Sequence, residues 1–164
     1  MPPASEVTLV EATLSDVDTL FSDIQQLHHD EHVPLHPGVD NATLRDALQS
    51  LITTPALGRI WLIRVEEKTI GYAALNFFHS LEFAGRCGLI DEFFLQPPYR
   101  GQGIGKAALK WICETAAPKL GVRAVFLEVS PENTAARGLY NKAGFGARPY
   151  NFMVRITNPE GSHS

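Results

Sequence analysis

Three glycines at alternate positions, Gly101, Gly103 and Gly105, stand between Arg100 and Lys106 in the run Arg-Gly-Gln-Gly-Ile-Gly-Lys, which also holds Gln102 and Ile104. That composition suits the gripping of phosphate. Without Cβ atoms the chain can turn sharply and bring consecutive backbone N–H groups close to an anion. Lys106 and the unpaired N–H groups of a helix starting there add positive potential at the same point. A plain strand-to-helix turn would use the same glycines, so the loop alone does not name its ligand. Spacing removes two ligands. A nucleotide loop of the Gly-x-x-x-x-Gly-Lys-Ser/Thr form has Arg100 where its first glycine belongs and Ala107 where its magnesium-binding hydroxyl belongs. A dinucleotide fingerprint begun at Gly101 requires a glycine where Lys106 stands, and the region 120–124 supplies no acid for a ribose.

Other residues capable of chemistry are few. Asp91 and Glu92 are adjacent acids in an otherwise apolar run, fit either for accepting a proton or for a simple strand-end charge. Tyr140 offers a phenol that can donate a proton at neutral pH, or can merely pack in a core. His28, His29, His32 and His36 cluster with Asp30 and Glu31, and His28 and His32 are one helical turn apart, a spacing that can bind zinc. Pro34 interrupts the helix before His36 and no third ligand is evident, so no metal is expected and a solvated helix end is the plainer reading. Cys87 and Cys113 form no Cys-x-x-Cys pair and read as reduced structural thiols.

The elements that must position these groups follow from periodicity. A short strand over 7–12 precedes a helix capped by Ser15 or Asp16 and running to about residue 31, with Leu20, Ile24 and Leu27 on its buried face. Pro34 and Pro37 break it, and a second helix occupies 41–52. Strands at 59–66 and 69–78 make a hairpin, and a third strand covers 87–95. A helix over 104–117 follows the glycine loop, then a buried strand at 123–129, a helix from Asn133 to about 143, and a last strand at 149–156. The order βααβββαβαβ makes an α/β or α+β sheet of about six strands with helices on its faces. A single domain is expected over 1–157, with a disordered polar tail at 158–164.

The whole chain bounds the remaining possibilities. Its 164 residues are 45% hydrophobic and 20% charged, with a formal net charge of −4, an ordinary composition for one soluble core. No basic run interleaves with aromatics, so nucleic acid is not an expected partner. No apolar run approaches a membrane span and residues 1–18 lack the pattern of a secretory leader, so no membrane association is expected and the cytoplasm is the expected location.

Three blocks in fixed order now carry a resemblance. They are Asp91-Glu92-Phe93-Phe94-Leu95, the loop from Arg100 to Gly105, and the run from Asn133 through Leu139, Tyr140 and Gly144 to Phe145. Together, over about 7–156, they resemble the GNAT N-acetyltransferase superfamily, whose phosphate loop has the form Arg/Gln-x-x-Gly-x-Gly/Ala. The resemblance implies a mostly antiparallel mixed sheet splayed in the middle and acetyl-CoA as the acetyl donor. It implies that the amides of Gly101, Gln102, Gly103, Ile104, Gly105 and Lys106, with Arg100, hold the pyrophosphate. Phe94 and Leu95 would pair with the pantetheine arm, Asn133 and Ala136 would contact the cofactor, and a bulge near Phe94 would leave an N–H for the thioester carbonyl. Tyr140 would protonate the departing thiolate, and Asp91 or Glu92 would take the amine's proton, through water. The polyamine branch carries Glu-Asp-Phe-Phe where this chain has Asp91-Glu92-Phe93-Phe94, which points to a small primary amine, a polyamine or an amino-acid-like acceptor. In the family the junction after the first helix walls the acceptor pocket, which implicates Asp30, Glu31 and His32, and members often form homodimers. A non-catalytic acyl-CoA sensor or a peptide N-acetyltransferase on the same fold is the alternative.

Overall fold

The computed structural model describes residues 7–157. Five strands form one sheet in sequence order: β1 (Val7–Glu11), β2 (Gly58–Val65), β3 (Lys68–Ser80), β4 (Gly85–Leu95) and β5 (Val125–Leu127). The first three pairings are antiparallel, and β4 and β5 run parallel. A parallel neighbour requires a crossover, supplied here by the glycine loop and the helix behind it.

Helix α1 (Val17–Asp30) is preceded by a single tight turn, Leu14–Asp16, in which the Asp16 carboxylate accepts from the Thr13 N–H at 2.8 Å. The start signal thus sits at Thr13, slightly ahead of the expected cap. Helix α2 (Asn41–Thr53) is capped by Asp40, whose side chain accepts from the Thr43 N–H at 2.7 Å. Both helices lie on one face of the sheet, where Leu20, Ile24, Leu27 and Leu48 pack on Ile60, Leu62, Tyr72, Ala74 and Phe94. Truncating a fully buried leucine such as Leu20 to alanine costs about 2–5 kcal/mol in settings of this kind.

The opposite face is covered by α3 (Ile104–Trp111), which passes through a wide turn at Ile112–Ala116 into the short α4 (Ala117–Lys119), and by α5 (Thr134–Lys142). Leu109, Ile112 and Ala116 pack there on Trp61, Ala73, Leu75 and Ile90, and Ile104 and Ala108 pack near Ile63, Ile70 and Leu95. Helices therefore cover both faces, as the sequence order requires.

One expected element is absent. Residues 149–156 form no strand; Tyr150, Phe152, Met153 and Val154 are exposed instead. The neighbouring edge offers only the three residues of β5, and Pro149 has no N–H to give to a ladder. Arg148 bonds Glu82 at 2.9 Å and stacks on Phe83, Phe126 and Tyr150, so the chain is pinned over the β3–β4 turn. The expected disordered tail at 158–164 lies outside the described residues.

Candidate active site

The site begins where β4 and β5 part. Pairing between them ends with Gly88, Leu89 and Ile90 against Val125, Phe126 and Leu127. β4 continues to Leu95 with β3 on one side only. The expected 123–129 strand is shortened for this reason, since Glu128 and Val129 have no partner once β4 turns away. The turning point is a bulge: Ala74 pairs with Glu92 and Leu75 with Ile90, which leaves Asp91 as the extra residue. The bulge expected near Phe94 thus lies at Asp91, and Phe94 and Leu95 stand in regular register with Tyr72 and Gly71. Backbone groups from Glu92 to Leu95 line the open edge, the place where an extended pantetheine arm can pair.

At the end of that edge the glycine loop leads into α3. Gly103 is the N-cap with φ 82 and Gly101 has φ 72, both left-handed. A Cβ at either would meet nothing within 4 Å, so glycine is required there by the backbone alone. The first bond into the helix runs from the Ala107 N–H to the Gly103 carbonyl at 3.1 Å. Among the described residues, no backbone carbonyl outside the helix accepts from the amides of residues 101–106. Free amides in this alternating conformation form an anion cradle at a helix N-terminus. Lys106 is exposed beside it. The residues present therefore fit a pyrophosphate. Arg100 faces elsewhere: its Nε donates to the Leu95 carbonyl at 2.7 Å, Nη2 bonds Asp30 at 3.0 Å, and the guanidinium lies over the Phe94 ring. Gln102 donates to the Pro98 carbonyl at 2.7 Å, closing the loop from below.

The two acids separate. Asp91, on the bulge, is exposed, whereas Glu92 is half-buried on the face covered by α1. Glu92 is held by two side chains: the Tyr72 hydroxyl donates to Oε2 at 2.7 Å, and His28 Nε2 lies 2.6 Å from Oε1. Burial pushes the Tyr72 hydroxyl far above the usual phenol range, and the charges of Glu92, Asp23 and Asp91 push the same way, so it stays a donor. Asp23 is itself buried on α1, with its carboxyl held above the usual range by desolvation, against a hydrogen bond from Gln96.

Tyr140 sits on α5 and packs edge-on against Phe145 at 6.1 Å. Burial raises its hydroxyl to about 12, with a further push from the charge of Glu31. Leu139, one residue earlier, packs on Gly105, where an added Cβ would come within 3.2 Å of it. This contact seats the tyrosine's helix on the loop's helix. Asn133 caps α5 by accepting from the Ala136 N–H at 3.1 Å; the asparagine is exposed and the alanine half-buried.

A family model described as the acetyltransferase (GNAT) family matches residues 21–145. The chain belongs to the GNAT acetyltransferase family. Its family is one of acetyltransferases, and a predicted acetyltransferase from Clostridium acetobutylicum solved with acetyl-CoA shares its fold, with a TM-score of 0.74, 21% identity, and 91% and 96% of the two chains covered. This chain is 26% identical over 148 residues to the aminoalkylphosphonate N-acetyltransferase of Salmonella typhimurium, covering 90% of each chain. It is 35% identical over 95 residues to the thialysine N-epsilon-acetyltransferase of Sus scrofa, a match that spans 58% of this chain and half of that relative. Among solved structures it resembles an integron cassette protein from a salt-marsh metagenome, with a TM-score of 0.78, 28% identity, and 94% and 91% of the two chains covered.

In this acetyltransferase the structure joins what the sequence left apart. Asp30 is already occupied by Arg100 and by Gln26, at 2.6 Å, and these bonds hold its carboxyl below the usual range. Glu31 and His32 are exposed just beyond α1, and His32 has φ 54, so it has left the helix and does not share a face with His28. No group of histidines, cysteines and acids among the described residues is arranged to hold a metal. Both cysteines are free thiols; Cys87 is buried, and burial raises Cys113 to about 11, which keeps it protonated and a poor nucleophile at neutral pH. No helix among the described residues is long and apolar enough to cross a membrane. A groove of about 920 Å³ beyond β5 reaches Tyr140, but no residue of 91–106 lines it; it is the space beside the unpaired C-terminal segment. Sequence reasoning missed Tyr72 and the contact of His28 with Glu92, which are 20 and 64 residues from that acid and carry no local signature.

Proposed function

We propose that this acetyltransferase passes the acetyl group directly from acetyl-CoA to the primary amine of a small cationic acceptor, a polyamine or an amino-acid-like amine. The observation that carries the reading is the Glu92 carboxylate, fixed by Tyr72 and His28 beside the open edge of β4. Acetyl-CoA supplies an activated acetyl group when bound. The chain's own part begins with the amides of residues 101–106, which hold the pyrophosphate, while the Glu92 to Leu95 edge receives the pantetheine arm and Asn133 and Ala136 border it.

A lysine-like amine has a reference pKa of about 10.4 and arrives as ammonium. Glu92 attracts it and takes its proton, directly or through water, which frees the nitrogen lone pair for the acetyl carbon. As the carbon–sulfur bond breaks, the thiolate collects the Tyr140 proton. Protonated at neutral pH, Tyr140 is available as that acid. A direct transfer also agrees with a protonated Cys113.

A cationic acceptor is supported by the carboxylates of Asp91, Glu92 and Glu31 around this junction, where Arg100 is neutralised by Asp30. An acceptor bearing a phosphonate or phosphate would meet repulsion here. The experiment is a comparison of kcat/KM for spermidine, a lysine analogue and an aminoalkylphosphonate, read as thiol release. The cationic amines should lead, and preference for the phosphonate would reject the assignment.

Two further parts of the reading concern the whole chain. Free cysteines and an acetyl-CoA substrate suit the reducing cytoplasm. The exposed Phe152, Met153 and Val154 favour association of two copies, which would cover them.

A further inference from the structure

The carboxylate of Glu92 has two oxygens, and each is met by a side chain from a different layer. Tyr72, on β3, holds Oε2 at 2.7 Å from within the sheet. His28, on the last turn of α1, holds Oε1 at 2.6 Å from the covering helix. The contact requires a proton between Nε2 and Oε1, and a carboxylate has none to give, so the imidazole carries it on Nε2. His28 Nδ1 is buried without a hydrogen-bond partner among the described residues, so the ring has no competing anchor there. Glu92 is only partly exposed, with 20% of its side chain accessible, and a free glutamate would lose its rotamer freedom only at a cost.

We propose that His28 is a positioning residue for the acceptor half of the reaction. Its Nε2–H locks the Glu92 carboxylate in the one orientation in which it faces the incoming amine. This rests on the acetyltransferase reading of Glu92 given above and extends it to a residue on a different element. The lock also ties the end of α1 to β4, so the helix that leads to Glu31 is placed by the same hydrogen bond. His28 acts here as a hydrogen-bond donor and does not itself gain or lose the transferred proton.

Two substitutions and one measurement without turnover test this. Glutamine places an amide N–H where the histidine carries Nε2–H, so His28→Gln restores the donor, whereas His28→Ala removes it. With spermidine as acceptor, His28→Ala should lower kcat/KM for the amine by about 10- to 100-fold, as a misplaced catalytic group does, with the KM for acetyl-CoA unchanged. His28→Gln should recover most of that loss. Equal losses in both variants would overturn the proposal, because a proton-carrying histidine cannot be replaced by glutamine. An unchanged His28→Ala, folded by circular dichroism, would overturn it as well. Nitrogen NMR of the resting protein should find His28 protonated on Nε2 and changed in Glu92→Gln; a bare Nε2 would contradict the lock whether or not any amine is acetylated. Wild-type protein inactive toward every amine would instead reject the acetyl-transfer reading and leave the NMR result standing.

Discussion

Tyr140 carries a proton throughout the neutral range, because burial and the charge of Glu31 raise its hydroxyl to about 12. Replacing it with phenylalanine removes the donor and keeps the ring against Phe145. Tyr140→Phe should therefore lower kcat by about 10²- to 10⁴-fold with little change in thermal stability, measured by thiol release and by a melting curve. Asp23 makes the opposite kind of prediction, about stability. Burial raises its folded-state pKa above the ordinary aspartate value, so the folded chain holds that proton more tightly than the unfolded chain. Stability from this group is full below the unfolded value and declines as pH rises through the folded one. Asp23→Asn removes the titration. Melting curves between pH 4 and 7 should show wild type losing ground to the variant as pH increases; a gap that does not change with pH would contradict the assignment. The acids at 91 and 92 were legible in sequence as a pair, but their separation was not, because it depends on which one the sheet bulges out.

At the scale of elements, the glycine loop proposed to hold the donor's phosphates owes its shape to two residues in left-handed backbone, Gly101 and Gly103. Gly103→Ala adds a Cβ that touches nothing, so its whole effect comes from φ 82. A left-handed non-glycine residue costs about 1–2 kcal/mol, and the loop will relax rather than hold its cradle. The KM for acetyl-CoA should rise by roughly tenfold, since 1.4 kcal/mol is one decade, while the melting temperature changes modestly. Steady-state kinetics at saturating amine measures it. Most elements were readable from the sequence because helical and alternating periodicity are local properties: α1, α2, α5 and the β2–β3 hairpin fall within a few residues of expectation. The strand at 149–156 was not, since alternation states that a segment can pair and says nothing about whether an edge awaits it. The joints that make the site, His28 to Glu92 and Asp30 to Arg100, span 64 and 70 residues and exist only in the folded sheet.

At the scale of the whole molecule, the proposed reaction brings donor and acceptor together from two sides of one opening. The loop and α5 approach it from one face of the sheet and α1 from the other, and β4, open along one edge after Ile90, runs between them. A dimer formed over the C-terminal segment would cover Phe152 and Val154, so light scattering should give twice the chain mass of 18.0 kDa, and replacing both by serine should return the monomer. Direct transfer makes a sharper demand. The protein should release coenzyme A thiol only when acetyl-CoA and a cationic amine are present together, and mass spectrometry should find the acetyl group on the amine. Thiol released without amine, an acetyl group left on Cys113, or acetyl-CoA bound with no amine ever acetylated would contradict that account.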